Sequence, residues 1–195
     1  MSWFPLNILE AGLRNLGLSS ESAALVLVFA IAGSLFNIPL GKRGTSIVKQ
    51  SQFFGLVKRQ VALAQGVSIN AGGALVPLAV SLYLLSRVPF KETLIAILLM
   101  ILVCRIFSRY VPGRGVALSA FMPVAFSLAF GFFLARESLA QVSFISGTLG
   151  VLIGADLLRI PFLKKEGVGM LVVGGAGVFD GIFLVGMLST LIAGL

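Results

Sequence analysis

Long apolar runs, separated by short charged segments, constrain the fold of this chain more than any other feature. Each run has about the length, roughly 20 residues, that a helix needs to cross a bilayer core. With 58% hydrophobic and 11% charged residues and a mean hydropathy of +1.07, a soluble core could not bury the apolar surface. Strands of a membrane barrel would alternate instead. The sequence therefore predicts an all-α, polytopic transmembrane helix bundle.

We expect about six spans within a single transmembrane domain, residues 1–195. The predicted spans are residues 22–40, 61–86, 92–107, 115–135, 139–160 and 168–195. Residues 1–21 are expected to be an interfacial lead-in, although an ordinary approach to the first span fits equally well. Residues 41–60 mix Phe53 and Phe54 with cations, which predicts a cytoplasmic amphipathic loop forming a surface helix.

Basic residues are concentrated in every second connecting segment. The first such segment contains Lys42, Arg43, Lys49, Lys58 and Arg59. Because cytoplasmic loops of membrane proteins are enriched in Lys and Arg, this alternation predicts a multi-pass protein of the plasma (inner) membrane with both termini outside. Orientation and anionic membrane lipids account for the net charge of +8 without a nucleic-acid partner.

The chain has no histidine and a single cysteine, Cys104, so the usual zinc, haem and iron–sulfur ligand sets are missing. We expect no metal and no cofactor. The two aspartates, Asp156 and Asp180, both fall inside predicted spans. A carboxylate at that depth costs about 2.5–3.5 kcal/mol on insertion scales, so it usually marks a functional site. Structural alternatives are a salt bridge from Asp156 to Arg159 and helix capping by Asp180.

Two carboxylates a few ångströms apart share one proton, and such a pair can act as base and acid together. The segment "GGAGVFDGIFLVGML" around Asp180, with "IGADLLRI" around Asp156, resembles the presenilin and signal peptide peptidase type of intramembrane aspartyl protease. That resemblance implies that Asp156 and Asp180 are catalytic and that the substrate is a transmembrane or lipid-embedded peptide. In that family glycine directly precedes the second aspartate, whereas Val178 and Phe179 separate Gly177 from Asp180 here.

A second resemblance covers more of the chain. The segments "SINAGGALVP", "SGTLGVLIGADLL" and "GGAGVFDGIF" resemble an uncharacterised family of small bacterial and archaeal membrane proteins. That family implies a polytopic membrane fold and brings no function with it.

Pairing of the aspartates depends on the chain before Asp180. In an unbroken sixth helix Asp180 would lie about 12 Å deeper than Asp156. We therefore expect residues 167–177 to form a glycine-rich broken or re-entrant segment, with residues 171–173 extended beside a substrate strand. The candidate substrate-binding residues are Asn70, Gly72, Gly73, Gly175 and Gly177. Interhelical hydrogen bonding by Asn70 and close helix contact at Gly72 and Gly73 are the structural alternatives.

A transporter or channel is the main alternative function. Six spans divide into two halves of opposite orientation, and broken glycine-rich helices are typical of transporters. Asp156, Asp180 and Asn70 would then bind a cation or a proton. A noncatalytic assembly or lipid-binding protein is a third interpretation, and the sequence leaves formation of a homo-oligomer open.

Overall fold

The computed structural model describes residues 10, 12–41, 44–52, 57–111, 115–119, 121–161, 170–175, 188 and 190–192. Within these residues the fold is mostly helical, with a small sheet. The helices are α1 (Ser20–Ser34), α2 (Val76–Leu85), α3 (Phe90–Phe107), α4 (Phe121–Leu134) and α5 (Leu139–Gly150). A π-helical turn, Ala71–Leu75, precedes α2, and a second, Val151–Asp156, follows α5.

Six strands accompany the helices: β1 (Asn37–Pro39), β2 (Gly44–Gln52), β3 (Val57–Asn70), β4 (Arg109–Val111), β5 (Gly115–Ala117) and β6 (Met170–Val173). The long strand β3 lies at the centre of the larger sheet. It pairs antiparallel with β1 and β2 and parallel with β6, where Val67 is opposite Leu171. Strands β4 and β5 form a separate antiparallel hairpin.

Successive helices run up and down, so that their ends meet in two groups. At the sheet end, Gly33 near the end of α1 lies against Gly72, and Arg159 beyond α5 contacts Ser108 at the end of α3. At the opposite end, the α2–α3 and α4–α5 connections line one cavity, which includes Pro89 and Arg136. The larger sheet and the β4–β5 hairpin therefore belong to the same end of the bundle.

The core lies among α1, α2 and α5, where Leu27, Leu84 and Phe144 pack together. Leu13 and Leu16 of the predicted interfacial lead-in are fully buried in this cluster, so that part of the lead-in packs into the bundle. On the outer surface of the bundle, large apolar side chains remain exposed; Phe133, for example, is 81% exposed. Broad exposed apolar surface is typical of proteins that contact membranes or partners.

The all-α expectation is wrong, because a sheet is present. Residues 61–70 of the predicted second span belong to β3, and the helix of that span begins only at Ala71. Residues 44–52 and 57–60 of the predicted amphipathic loop are strands rather than a surface helix. Short segments that mix apolar and polar residues fit both periods, and β-branched residues such as Val61 and Val67 favour the strand.

One described helix, Arg136–Arg159, consists of α5, the π turn that follows it and a short helical turn at each end. It is long and apolar enough to cross a membrane, judged by length and composition. Three further apolar helices, Ser20–Ser34, Ala71–Leu85 and Phe121–Leu134, are shorter. Several predicted spans include residues that the structure places in strands or turns, which shortens the corresponding helices. The expectation that residues 171–173 are extended is confirmed, since they lie in β6.

Candidate functional site

Asp156 ends the π-helical turn that follows α5, near the sheet end of the bundle. Its side chain is half-buried, and its Oδ2 atom accepts a hydrogen bond of 3.0 Å from the backbone N–H of Gly174. Gly174 directly follows β6 and has a φ of +77°, a left-handed conformation that favours glycine. The carboxylate is thus tied to the carboxyl end of strand β6.

Two glycines bring this part of the chain close to α3. A Cβ atom at Gly150 would lie 2.5 Å from Cβ of Met100, and one at Gly154 would lie 3.0 Å from Cβ of Cys104. The backbones of α5 and α3 therefore approach as closely as small residues allow. After Gly150 the helix widens into the π turn, which contains the Gly154 contact and ends at Asp156, and such a distortion is frequent at functional sites.

Gly72 and Gly73 contact different neighbours although they are adjacent in sequence. A Cβ atom at Gly72 would overlap the carbonyl oxygen of Ala30 in α1, whereas one at Gly73 would overlap the carbonyl oxygen of Gly174. Gly72 therefore packs a helix, and Gly73 packs the turn whose amide holds Asp156. The predicted close helix contact is therefore present at Gly72, whereas Gly73 makes its close contact with a turn.

Asn70 is fully buried at the end of β3, where it caps the π turn. Its Nδ2 donates to the carbonyl oxygen of Ser34 at 2.8 Å and to Oδ1 of Asn37 at 2.9 Å. Its Oδ1 accepts from the N–H of Gly73 at 2.7 Å. Both amide hydrogens are thus used within the protein, which favours the structural interpretation of Asn70 over ligand binding.

Arg159 lies three residues beyond Asp156 and reaches across to the end of α3. Its Nε donates to Oγ of Ser108 at 3.3 Å, and its Nη2 donates to the carbonyl oxygens of Ser108 and Arg105. A cation at these carbonyls satisfies terminal acceptors and complements the helix dipole. Arg159 thereby fixes the end of the Asp156-bearing helix against α3.

Strand β6 has one hydrogen-bonded neighbour, β3, among the described strands. Its inner side is anchored, because Leu171 and Val173 are buried in the apolar cluster that also contains Met100 and Cys104. No other described strand pairs with its second edge, although the β4–β5 hairpin lies nearby. This edge of β6, which is unpaired among the described strands, ends beside the Asp156 carboxylate.

The structure brings part of the predicted site together. Asn70, Gly73 and Asp156 are joined through Gly174, whereas Gly72 faces α1. Gly175, with a φ of +62°, closes the turn after β6 by donating its N–H to the carbonyl oxygen of Val172 at 3.1 Å.

Asp180 and Gly177 lie outside the described residues, so the pairing of the two aspartates stays a prediction. Among the residues that the structure does describe, no group of three His, Cys, Asp or Glu side chains could hold a metal ion.

Sequence reasoning missed two residues of the site. It placed Gly174 in a glycine-rich segment without giving it a role, although the adjacent pair Gly174 and Gly175 is a signal for positive φ. It also considered Arg159 only as a partner for Asp156, whereas Arg159 bonds to the end of α3. No local signal in the sequence points from Arg159 to Ser108, 51 residues away.

Comparisons with known proteins identify the family but no activity. No curated protein and no solved structure matches the chain. The resemblance to intramembrane aspartyl proteases therefore stays a prediction. A family model described as "Protein of unknown function (DUF1614)" matches residues 31–192, and the chain belongs to this family.

Proposed function

We propose that this protein is an intramembrane aspartyl protease in which Asp156 and Asp180 form the acid–base pair. The observation that supports it most is the hydrogen bond between Asp156 and the amide of Gly174, at the end of strand β6. A carboxylate in an apolar chain is thereby held beside a strand edge that no described strand occupies, an arrangement suited to cutting an extended peptide.

Peptides commonly bind to proteins by adding a strand to an exposed sheet edge. The edge of β6 that pairs with no described strand would offer backbone donors and acceptors over Met170–Val173. A substrate segment paired there would be extended, with its backbone carbonyls unwound from any helix. Its chain would continue towards Asp156, so that one peptide bond lies at the carboxylate.

The chemistry requires no metal. One carboxylate takes a proton from a water molecule as the water oxygen adds to the scissile carbonyl carbon, and the other carboxyl group donates its proton to the carbonyl oxygen. When the tetrahedral intermediate collapses, the C–N bond breaks, the leaving nitrogen takes the proton from the first carboxyl group, and the second carboxylate takes a proton from a hydroxyl of the intermediate. The products are a new carboxyl terminus and a new amine, and the pair again shares one proton.

The membrane topology is part of the same proposal. The up-and-down helices place the connections that contain the sheet and the β4–β5 hairpin at one end of the bundle, and these are the segments richest in cations. By the positive-inside rule this end faces the cytoplasm, which makes the protein multi-pass with both termini outside. Asp156 would then work near the cytoplasmic rim.

The test is proteolysis by the purified protein in liposomes that contain single-span peptides, with cleavage sites read by mass spectrometry. Asp156→Asn and Asp180→Asn should each abolish cleavage and leave thermal unfolding unchanged, because one partner of the pair cannot replace both. Glu92→Gln, which removes a carboxylate near the opposite end, is the matched control and should cleave normally. Cleavage that persists in both aspartate variants would refute the proposal.

A transporter is the second candidate, favoured by a separate observation. Two distorted helical segments, Ala71–Leu75 and Val151–Asp156, meet at one place through Gly73 and Gly174, and transporter sites are built from such interrupted helices. Asp156 would bind a cation or a proton there. Thermal stabilisation by a cation that Asp156→Asn eliminates, without cleavage by the natural sequence, would favour this candidate over the protease.

A further inference from the structure

The distal part of the β2–β3 hairpin extends beyond the larger sheet as a two-stranded ribbon. We define the distal ribbon as β2 together with residues 57–65 of β3, which are paired from Gly44 opposite Gln65 to Gln52 opposite Val57. Nine residue pairs give a length of about 30 Å. Only residues 66–70 of β3 are also held by β1 and β6.

A two-stranded ribbon needs support from elsewhere. Isolated hairpins are marginally stable in water at best. Inside the hydrocarbon core, Lys49, Lys58 and Arg59 of the ribbon would each carry the insertion cost of a charged side chain. The distal ribbon therefore belongs in the aqueous or headgroup region.

All charged residues of the distal ribbon are positive. Its described residues include Lys49, Lys58 and Arg59 and no aspartate or glutamate. The pairing places all three cations in the half farthest from the bundle, with Lys49 opposite Gln60 and Ser51 opposite Lys58. A partner that stabilises this half must be negatively charged, and the headgroup layer around the bundle is the nearest such surface.

We propose that the distal ribbon docks on anionic phospholipid headgroups through the face that carries Lys49 and Lys58, whereas Arg59, opposite Gln50, belongs to the other face and adds long-range attraction. Each cation near an anionic membrane contributes enough to shift the docking equilibrium about fivefold, so Lys49 and Lys58 together shift it by roughly 25-fold. This interaction is independent of proteolysis or transport at Asp156. It makes the position of β3, and through it of β6, sensitive to the lipid composition.

The test places an environment-sensitive fluorophore at Gln52→Cys in a Cys104→Ala background, with the full-length protein in nanodiscs that contain a lipid with a nitroxide-labelled headgroup. In phosphatidylglycerol we expect strong quenching of the fluorophore. Quenching should be lost in pure phosphatidylcholine and in about 1 M salt, where the screening length falls to about 3 Å. The combined Lys49→Gln, Lys58→Gln and Arg59→Gln variant should lose it in phosphatidylglycerol.

The matched control removes three cations from the other end of the bundle, by Arg87→Gln, Lys91→Gln and Arg136→Gln. In phosphatidylglycerol its fluorophore should be quenched as strongly as that of the protein with all its cations. Circular dichroism and thermal unfolding should agree between the two triple variants. Quenching that ignores lipid charge and salt, or that is equal in both triple variants, would overturn the proposal. A probe that responds to an added acidic peptide but not to phosphatidylglycerol would overturn it as well.

Discussion

Substitution of Gly73 by alanine separates the positioning of Asp156 from helix packing. The added Cβ atom would overlap the carbonyl oxygen of Gly174, so the turn after β6 must move away from the π turn. Gly72→Ala is a matched control, because its Cβ atom would overlap backbone of α1 instead. Both changes add one methyl group to the same turn, and they displace different neighbours.

The free energy of unfolding should fall by a similar amount in the two variants. Overpacking against backbone costs about 1–3 kcal/mol, and the higher helix propensity of alanine returns up to about 1 kcal/mol. The net loss, roughly 0–3 kcal/mol, lowers the melting temperature by at most about 12 °C in a chain of this length. Thermal unfolding of the two purified variants in the same detergent measures it.

Only Gly73→Ala should weaken the hydrogen bond from the Gly174 amide to Asp156, which is 3.0 Å long in the unsubstituted protein. If the bond is weakened by about 1.4 kcal/mol, amide exchange at Gly174 rises about tenfold. Hydrogen exchange followed by mass spectrometry of the segment 170–175 detects that rise. Equal exchange in the two variants would show that the Gly73 contact does not position the turn.

Three further substitutions test the interior contacts by thermal unfolding. Asn70→Ala removes three hydrogen bonds of a fully buried side chain and should cost about 2–4 kcal/mol. A loss of free energy of unfolding no larger than that for removal of a solvent-exposed helix cap would contradict the assigned bonds. Thr148→Val should be neutral or stabilising, because the buried Thr148 hydroxyl has no hydrogen-bond partner among the described residues. Ser143→Ala, by contrast, should cost about 1 kcal/mol because its hydroxyl donates to the carbonyl of Ser127, and the opposite order of the two would refute this reasoning. Arg159→Lys should lose about 1–2 kcal/mol, since an ammonium cannot reproduce the guanidinium contacts with Ser108; unchanged stability would show that the charge alone suffices.

The sequence by itself determined the features that depend on composition and on local glycine chemistry. Its apolar runs predicted a helical bundle, and one helix among the described residues, Arg136–Arg159, has the length and composition of a membrane span. The glycines and β-branched residues before Asp180 predicted the extended segment that is strand β6. Gly72 was predicted to allow close contact, and it lies against α1. These features follow from the properties of single residues and their immediate neighbours.

Tertiary structure alone decided which segments meet. Residues 57–70 are apolar enough for a helix, and they form a strand because β1, β2 and the distant β6 satisfy its backbone. The amide of Gly174 reaches Asp156 across 18 residues, and the Asn70 side chain reaches Ser34 across 36. Such pairings depend on the close approach of separate backbone segments at Gly72, Gly73, Gly150 and Gly154, and no local pattern specifies which backbone each glycine will meet.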